Sequence, residues 1–335
     1  MRQSHKKVML SRADFLKLSA GTVAALLLNA CRSGAELTES PPPQLSPTVA
    51  HLESTATPDV TPTAKIREPV MPLPPEPVII PNTETWIVPS AEGDRDFRIF
   101  VALPHSYHDT DKMYPVVYSL DANGGFGMVT DIVRMLHIGQ EVPEVIIVGI
   151  GYPTNDDTEI NNLRIKDFTP TTPQDGSMLD LGPTGSAGSF LRFIRETLKP
   201  FIQSQYRIIP ENATLVGHSL GGLFALYTLF KYPDTFNRYI AGSPSIWWDN
   251  KVIFEYERYF AEDNTDLAAK VFMAMGSLES LTDINYMHNL AQNLKGREYA
   301  NFELTTHVFE DETHMSIIPI FVNRGLRIVF GWENE

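Results

Sequence analysis

The sequence predicts an α/β fold, a mostly parallel central sheet with helices on both faces. Three observations carry that expectation. Residues 116–120 and 145–149 are short, continuous apolar runs, the composition of strands buried on both faces. From position 83 onward such runs alternate with segments of helical periodicity. Within residues 212–233, NATLVGHSLGGLFALYTLFKYP, a strand, a tight turn and a helix follow without a break.

Taken in order, the chain opens with an address. Arg2, Lys6, Lys7, Arg12 and Lys17 accompany an apolar run at 18–28 that is too short to span a bilayer, the layout of a signal peptide over residues 1–30. Ser11-Arg12-Ala13-Asp14-Phe15-Leu16-Lys17 resembles a twin-arginine export signal, with Ala13 where the second arginine belongs. Leu28-Asn29-Ala30-Cys31 resembles a bacterial lipobox, and Cys31 is the only cysteine of the chain. The expectation is an extracytoplasmic lipoprotein held to a cell membrane through Cys31 alone. A single cysteine also excludes an intrachain disulfide and a thiolate metal cluster. Residues 31–82 then read as a tether. Between positions 32 and 81 lie 12 of the 25 prolines, among serines and threonines and with no aromatic residue, too little apolar surface to fold.

One domain is expected over 83–335. Residues 85–88 and 97–103 alternate as antiparallel strands near a sheet edge, and 116–120 and 145–149 are central. Later strands are expected at 213–216, 239–242, 271–275 and 302–309, with helices at 128–138, 189–206, 252–260, 284–294 and 317–329. In such sheets ligands bind beyond the carboxyl ends of the strands, where the turn at 217–221 lies. The formal net charge of −14 argues against a nucleic-acid partner, which needs clustered Lys and Arg. His105 and His108, the closest histidine pair, have no third ligand nearby, so no metal is expected.

The turn Gly217-His218-Ser219-Leu220-Gly221 has the outline of a nucleophile elbow. Crowding between strand and helix demands residues without side chains, supplied by Gly217, Gly221 and Gly222. The turn pushes the Ser219 hydroxyl outward and aims the Leu220 N–H at the same point, where the helix N-terminus favours negative charge. A hydroxyl needs a base. His314, between the last strand and the last helix, fits that place; His307 falls within a strand, His288 within a helix, and His218 reads as a packing neighbour. Glu279, at the carboxyl end of the strand at 271–275, is the candidate orienting acid, with Asp283 as the alternative or as a helix cap. A second oxyanion donor is expected from the loop Asp121-Ala122-Asn123-Gly124-Gly125, through the backbone N–H of Ala122 or of Asn123.

Residues 152–188 are polar and without clear periodicity, which suggests a binding loop or lid. Arg164 and Asp167 within it either pair with each other or leave the planar guanidinium of Arg164 to grip a carboxylate, phenolate or carbonyl pair on a substrate.

At these positions the sequence resembles the putative-esterase group of α/β-hydrolases, which includes the enterobactin esterases and esterase D. The motifs are Pro115-Val116-Val117-Tyr118-Ser119-Leu120-Asp121, Leu163-Arg164-Ile165-Lys166-Asp167-Phe168-Thr169-Pro170, Gly217-His218-Ser219-Leu220-Gly221-Gly222 and Ser243-Pro244-Ser245-Ile246-Trp247-Trp248. The resemblance spans about 116–330. It implies the α/β-hydrolase fold, ester hydrolysis by Ser219 and His314 without a cofactor, siderophore esters as substrates in some members, and an arginine beside the site. Arg164, Asp167, Trp247 and Trp248 are the candidate substrate-binding residues. The acid of the group is variable, and some members resemble Ser–His dyads. This chain reads Asp-Ala-Asn where many members have Asp-Gly. Two other functions would use the same chain: an acyltransferase passing the acyl group to an alcohol, or a non-catalytic lipoprotein that captures a ligand for an importer.

Overall fold

Eight strands form one sheet in the computed structural model, which describes residues 76–90, 95–174 and 182–331. They are β1 (Thr83–Pro89), β2 (Asp96–Ala102), β3 (Tyr114–Ser119), β4 (Ile146–Gly151), β5 (Ile208–His218), β6 (Arg238–Gly242), β7 (Asp266–Gly276) and β8 (Ala300–Phe309). Across the sheet they run β1-β2-β4-β3-β5-β6-β7-β8. The pairs β1–β2 and β2–β4 are antiparallel and the remaining pairs parallel. The helices are α1 (Ala122–Ile138), α2 (Asp157–Phe168), α3 (Ala187–Phe193), α4 (Lys199–Gln205), α5 (Leu220–Lys231), α6 (Trp248–Asp263), α7 (Leu281–Gly296) and α8 (Ile318–Val329). One wide turn, Ile194–Leu198, joins α3 to α4.

Pleating sends neighbouring side chains to opposite faces, so each central strand feeds two cores. In β3, Val116 and Tyr118 join the core that takes in α2 to α7, while Val117 joins the core beneath α1 and α8. Helix α5 buries every residue from Leu220 to Phe230, which explains why its sequence is apolar nearly all round.

Two segments differ from expectation. The small residues 122–125 suggested a loop because glycine is a poor helix former. They form the first turn of α1 instead, entered from Asp121 in the left-handed region at φ 56°. The Asn123 side chain ties that turn to the end of β4, accepting from the Tyr152 N–H and donating to the carbonyls of Tyr152 and Thr154. Within the polar stretch 152–188, the structure forms α2. Its N-terminus is capped by the Asp156 carboxylate, which accepts from the N–H groups of Thr158 and Glu159. Only Ile165, Asp167 and Phe168 of α2 are buried, and a charge among so few buried positions erases the apolar period.

Contacts divide the chain into Met1–Pro77 and Val78–Glu335. In the second unit the backbone just before β1 is held by Arg134 on α1, which donates to the Pro81 carbonyl, and by the Leu103 N–H, which donates to that of Asn82. The expected signal peptide, Cys31 and the tether up to residue 75 lie outside the described residues. Among the described residues no helix is long and apolar enough to cross a membrane.

Candidate active site

The turn from β5 into α5 puts Ser219 at φ 60°, ψ −119°, a conformation that residues with a side chain rarely adopt. Three backbone hydrogen bonds hold it there. The Ser219 N–H donates to the Gly242 carbonyl (2.9 Å), and its carbonyl accepts from the N–H groups of Leu223 (3.0 Å) and Ser245 (3.1 Å). A Cβ on Gly217 would lie 2.2 Å from the Gly221 carbonyl oxygen, and one on Gly222 would lie 3.0 Å from that of Gly242. On Gly221 a Cβ would meet nothing closer than 3.4 Å, so the close approach expected of three glycines is confined to two. The Leu220 N–H, at the first position of α5, has no acceptor within the helix. The amides of Ala122 and Asn123 are the first two of α1 and likewise have no acceptor within their helix.

His314 follows β8 and brings two partners together. Its Nε2 is 3.1 Å from Ser219 Oγ, and its Nδ1 is 2.7 Å from Glu279 Oε2. Glu279 reaches it because β7 and the turn after β8 pack without a side chain between them: a Cβ on Gly276 would lie 2.2 Å from the Glu312 carbonyl oxygen. The Leu278 N–H donates to that same carbonyl at 3.0 Å. Burial pushes the Glu279 carboxyl up, but hydrogen bonds from His314, Ser243 and the Gly276 N–H outweigh it and hold the group below the usual carboxylate range. Asp283 lies in the first turn of α7, and the Nδ1 of His314 meets Glu279 rather than Asp283.

His218 packs its ring at 4.6 Å from that of His314 and at 5.7 Å from that of Phe321. Burial, then repulsion from His314 and Arg164, pushes its pKa down to about 3, so it stays neutral beside the reacting groups. His307 projects from the edge strand β8 against Phe309, and His288 is on α7.

Arg164 and Asp167 do not pair with each other. The Nε and Nη2 of Arg164 grip the two carboxylate oxygens of Asp121 at 2.8 and 2.9 Å. Asp121 in turn sits beside the elbow helix, its Oδ2 3.6 Å from where a Cβ on Gly221 would be. Asp167 is fully buried, paired with Arg95 at 2.5 Å and accepting from the Tyr152 hydroxyl at 3.1 Å. Its expected contact with substrate is therefore corrected: the carboxylate is enclosed by the core and anchors α2. Trp248 is corrected likewise. It is 0% exposed, and its Nε1 donates to the Thr171 carbonyl. Trp247, half-buried beside it, remains at the surface. Sequence reasoning gave no role to Gly276, nor to Ser243, which entered only as part of a motif. Both stand at carboxyl ends of parallel strands, which is the signal that could have found them.

The chain is similar to proteins of known activity. The family model described as "Putative esterase" matches residues 90–316. The ferri-bacillibactin esterase BesA of Bacillus subtilis is 36% identical over 269 residues, covering 74% of this chain and 89% of that protein. A siderophore triacetylfusarinine C esterase of Aspergillus fumigatus is 29% identical, covering 76% and 96%. The crystal structure of the BES protein from Bacillus cereus superposes with a TM-score of 0.69 at 32% identity, covering 77% of this chain and 98% of that one.

Proposed function

This chain belongs to the putative esterase family and is a serine esterase of the α/β-hydrolase fold; from that premise we propose that Ser219, His314 and Glu279 carry the reaction and that the substrates are siderophore esters. The observation that carries the assignment is the unbroken relay from Glu279 Oε2 through His314 to Ser219 Oγ. Ser219 Oγ attacks the ester carbonyl as its proton passes to His314 Nε2. Glu279, acceptor only, keeps the proton of Nδ1 and stabilises the imidazolium. The oxyanion is met by the Leu220 N–H and by an amide of the turn at 122–123, both at helix N-termini. His314 then protonates the departing alcohol, and water drawn to the same base releases the acid. The chemistry needs no cofactor.

The substrate class is supported by what the relatives are named for, ferri-bacillibactin and triacetylfusarinine C. It is supported also by Arg164, whose guanidinium, fixed by Asp121, supplies a cation for an oxygen-rich ligand. Ser219→Ala should lower kcat on the order of a million-fold, and a fluorophosphonate should label Ser219 and no other residue. Hydrolysis of ferri-bacillibactin or of triacetylfusarinine C, for which those relatives are named, should exceed that of simple aryl esters in kcat/KM. With a competing alcohol present the free acid should remain the main product, which separates hydrolysis from acyl transfer. An active Ala variant, or label on another residue, removes the assignment.

The lipobox-like run before Cys31 supports an extracytoplasmic, lipid-anchored protein. Cys31→Ala should move the esterase from the membrane fraction to the soluble one, and unchanged partitioning would refute the anchor.

A further inference from the structure

The turn at 242–245, after β6, touches both the nucleophile and the acid, and the reaction above gives its side chains nothing to do. The Gly242 carbonyl and the Ser245 N–H hold the two ends of Ser219, while the Ser243 N–H donates to the Ala274 carbonyl of β7 at 2.6 Å. Ser243 itself is 2% exposed and sits at φ 41°, a left-handed conformation that costs energy for any residue with a side chain. Its hydroxyl donates to Glu279 Oε1 at 2.6 Å, and the same oxygen accepts the Gly276 N–H at 2.7 Å. The other oxygen of Glu279 faces His314.

The division of labour between the two oxygens matters. A glutamate reaches its target through three rotatable bonds, and a free one would sweep a wide arc at an entropic cost each time it met the histidine. Two charge-assisted donors on one oxygen fix the carboxylate plane and leave the second oxygen in line with Nδ1. A backbone donor alone leaves rotation about the Gly276 contact, and the Ser243 hydroxyl removes it. Both donors also favour the ionised carboxylate over its acid form in a buried setting.

We propose that Ser243 is a positioning residue of the triad, holding Glu279 Oε1 so that Oε2 meets His314, and joining the acid to the elbow through the turn that braces Ser219. The proposal rests on Glu279 being the acid. Its test is a double-mutant cycle read by kcat on an aryl ester and by the rate of fluorophosphonate attack on Ser219, which is measurable over hours in slow variants.

Ser243→Gly removes the hydroxyl and relaxes the left-handed backbone, so its melting temperature should equal or exceed that of the wild type. Its kcat should still fall roughly ten- to a hundredfold with KM unchanged. Ser243→Ala should lose the same kcat whatever its melting temperature does. In the Glu279→Gln background either change should cost less than about twofold more, because the carboxylate it serves is gone. A Ser243→Gly variant with wild-type kcat, or a full loss repeated on top of Glu279→Gln, overturns the proposal. If Glu279→Gln alone leaves kcat untouched, the acid assignment fails first and the proposal falls with it.

Discussion

Helices α5 and α2 approach Asp121 from two sides, yet opposite forces hold them. On α5 everything from Leu220 to Phe230 is buried, and the elbow at its start is locked by backbone contacts that no side-chain charge enters. Helix α2 buries three residues and depends on charge: the Asp156 cap, the Arg164–Asp121 fork and the Asp167–Arg95 pair. Apolar burial and backbone hydrogen bonds change little with pH or salt, whereas ion pairs respond to both. The nucleophile is thus mounted on the element least sensitive to conditions. The arginine proposed to meet the substrate rides on one that a few charge changes can retune.

After the nucleophile itself, the heaviest loss should come from the proposed acid, which belongs to the rigid side with α5. Glu279→Gln should cost roughly a thousand- to ten-thousandfold in kcat, with KM little changed and the melting temperature close to that of the wild type. Asp283→Asn should leave kcat within about twofold. If Glu279→Gln raised KM as strongly as it lowered kcat, the acid loop would belong with recognition and the division would break.

The same contrast decides what could be seen in the sequence. The elbow was legible because three independent signals coincide within residues 212–233: a β-branched run, glycines at the turn and a helical apolar face. The strands at 116–120 and 145–149 were legible because burial on both faces leaves a continuous apolar run, and the structure extends or shifts each by one or two residues. Helix α2 was not legible. Its stability comes from partners remote in sequence, Asp121 for Arg164 and Arg95 for Asp167, and no local pattern announces a distant counter-charge. Glycines 124 and 125 misled for a related reason: the clamp that makes 122–125 helical is Asn123 reaching across to Tyr152 and Thr154. Ser243 stood in a quoted motif, but its bond to Glu279 spans two strands.

The second prediction probes the charge that α2 buries. Burial lifts the Asp167 carboxyl to about 6, and attraction to Arg95 with the hydrogen bonds of Tyr152 and Arg95 offsets only part of that rise. An acid whose folded pKa lies above its unfolded value of about 3.9 binds its proton more tightly when folded. Its contribution to stability is therefore present at low pH and lost as pH rises from about 4 to about 6. Asp167→Asn carries no charge at any pH. Its unfolding free energy should gain on the wild type by up to about 1.4 kcal/mol per pH unit across that window, measured by paired denaturant titrations. A difference that stays flat from about pH 4 to 6 would mean that Arg95 balances the buried charge in full, and that α2 is as insensitive to pH as α5.

A milder change should separate a role for Arg164 in holding substrate from a role in the scaffold alone. Two of its three nitrogens are committed to Asp121, and among the described residues Nη1 carries no hydrogen bond. A guanidinium can hold a carboxylate along one edge and present its remaining N–H groups elsewhere, whereas an ammonium on a flexible stem is a point charge that must choose. Arg164→Lys should therefore keep Asp121 roughly in place and lose the outward contact. On an anionic or oxygen-rich siderophore ester KM should rise roughly five- to tenfold, about 1 to 1.4 kcal/mol, with kcat preserved. A small neutral aryl ester, which offers nothing for that N–H edge, should be hydrolysed as before. Raising the salt concentration should erode the advantage of the wild type on the anionic ester, since Arg164 and Asp121 are only partly shielded from solvent. Equal losses on both esters together with a lower melting temperature would instead show that Arg164 only fastens Asp121 at the first turn of α1. In that case recognition must be sought elsewhere, beginning with Trp247.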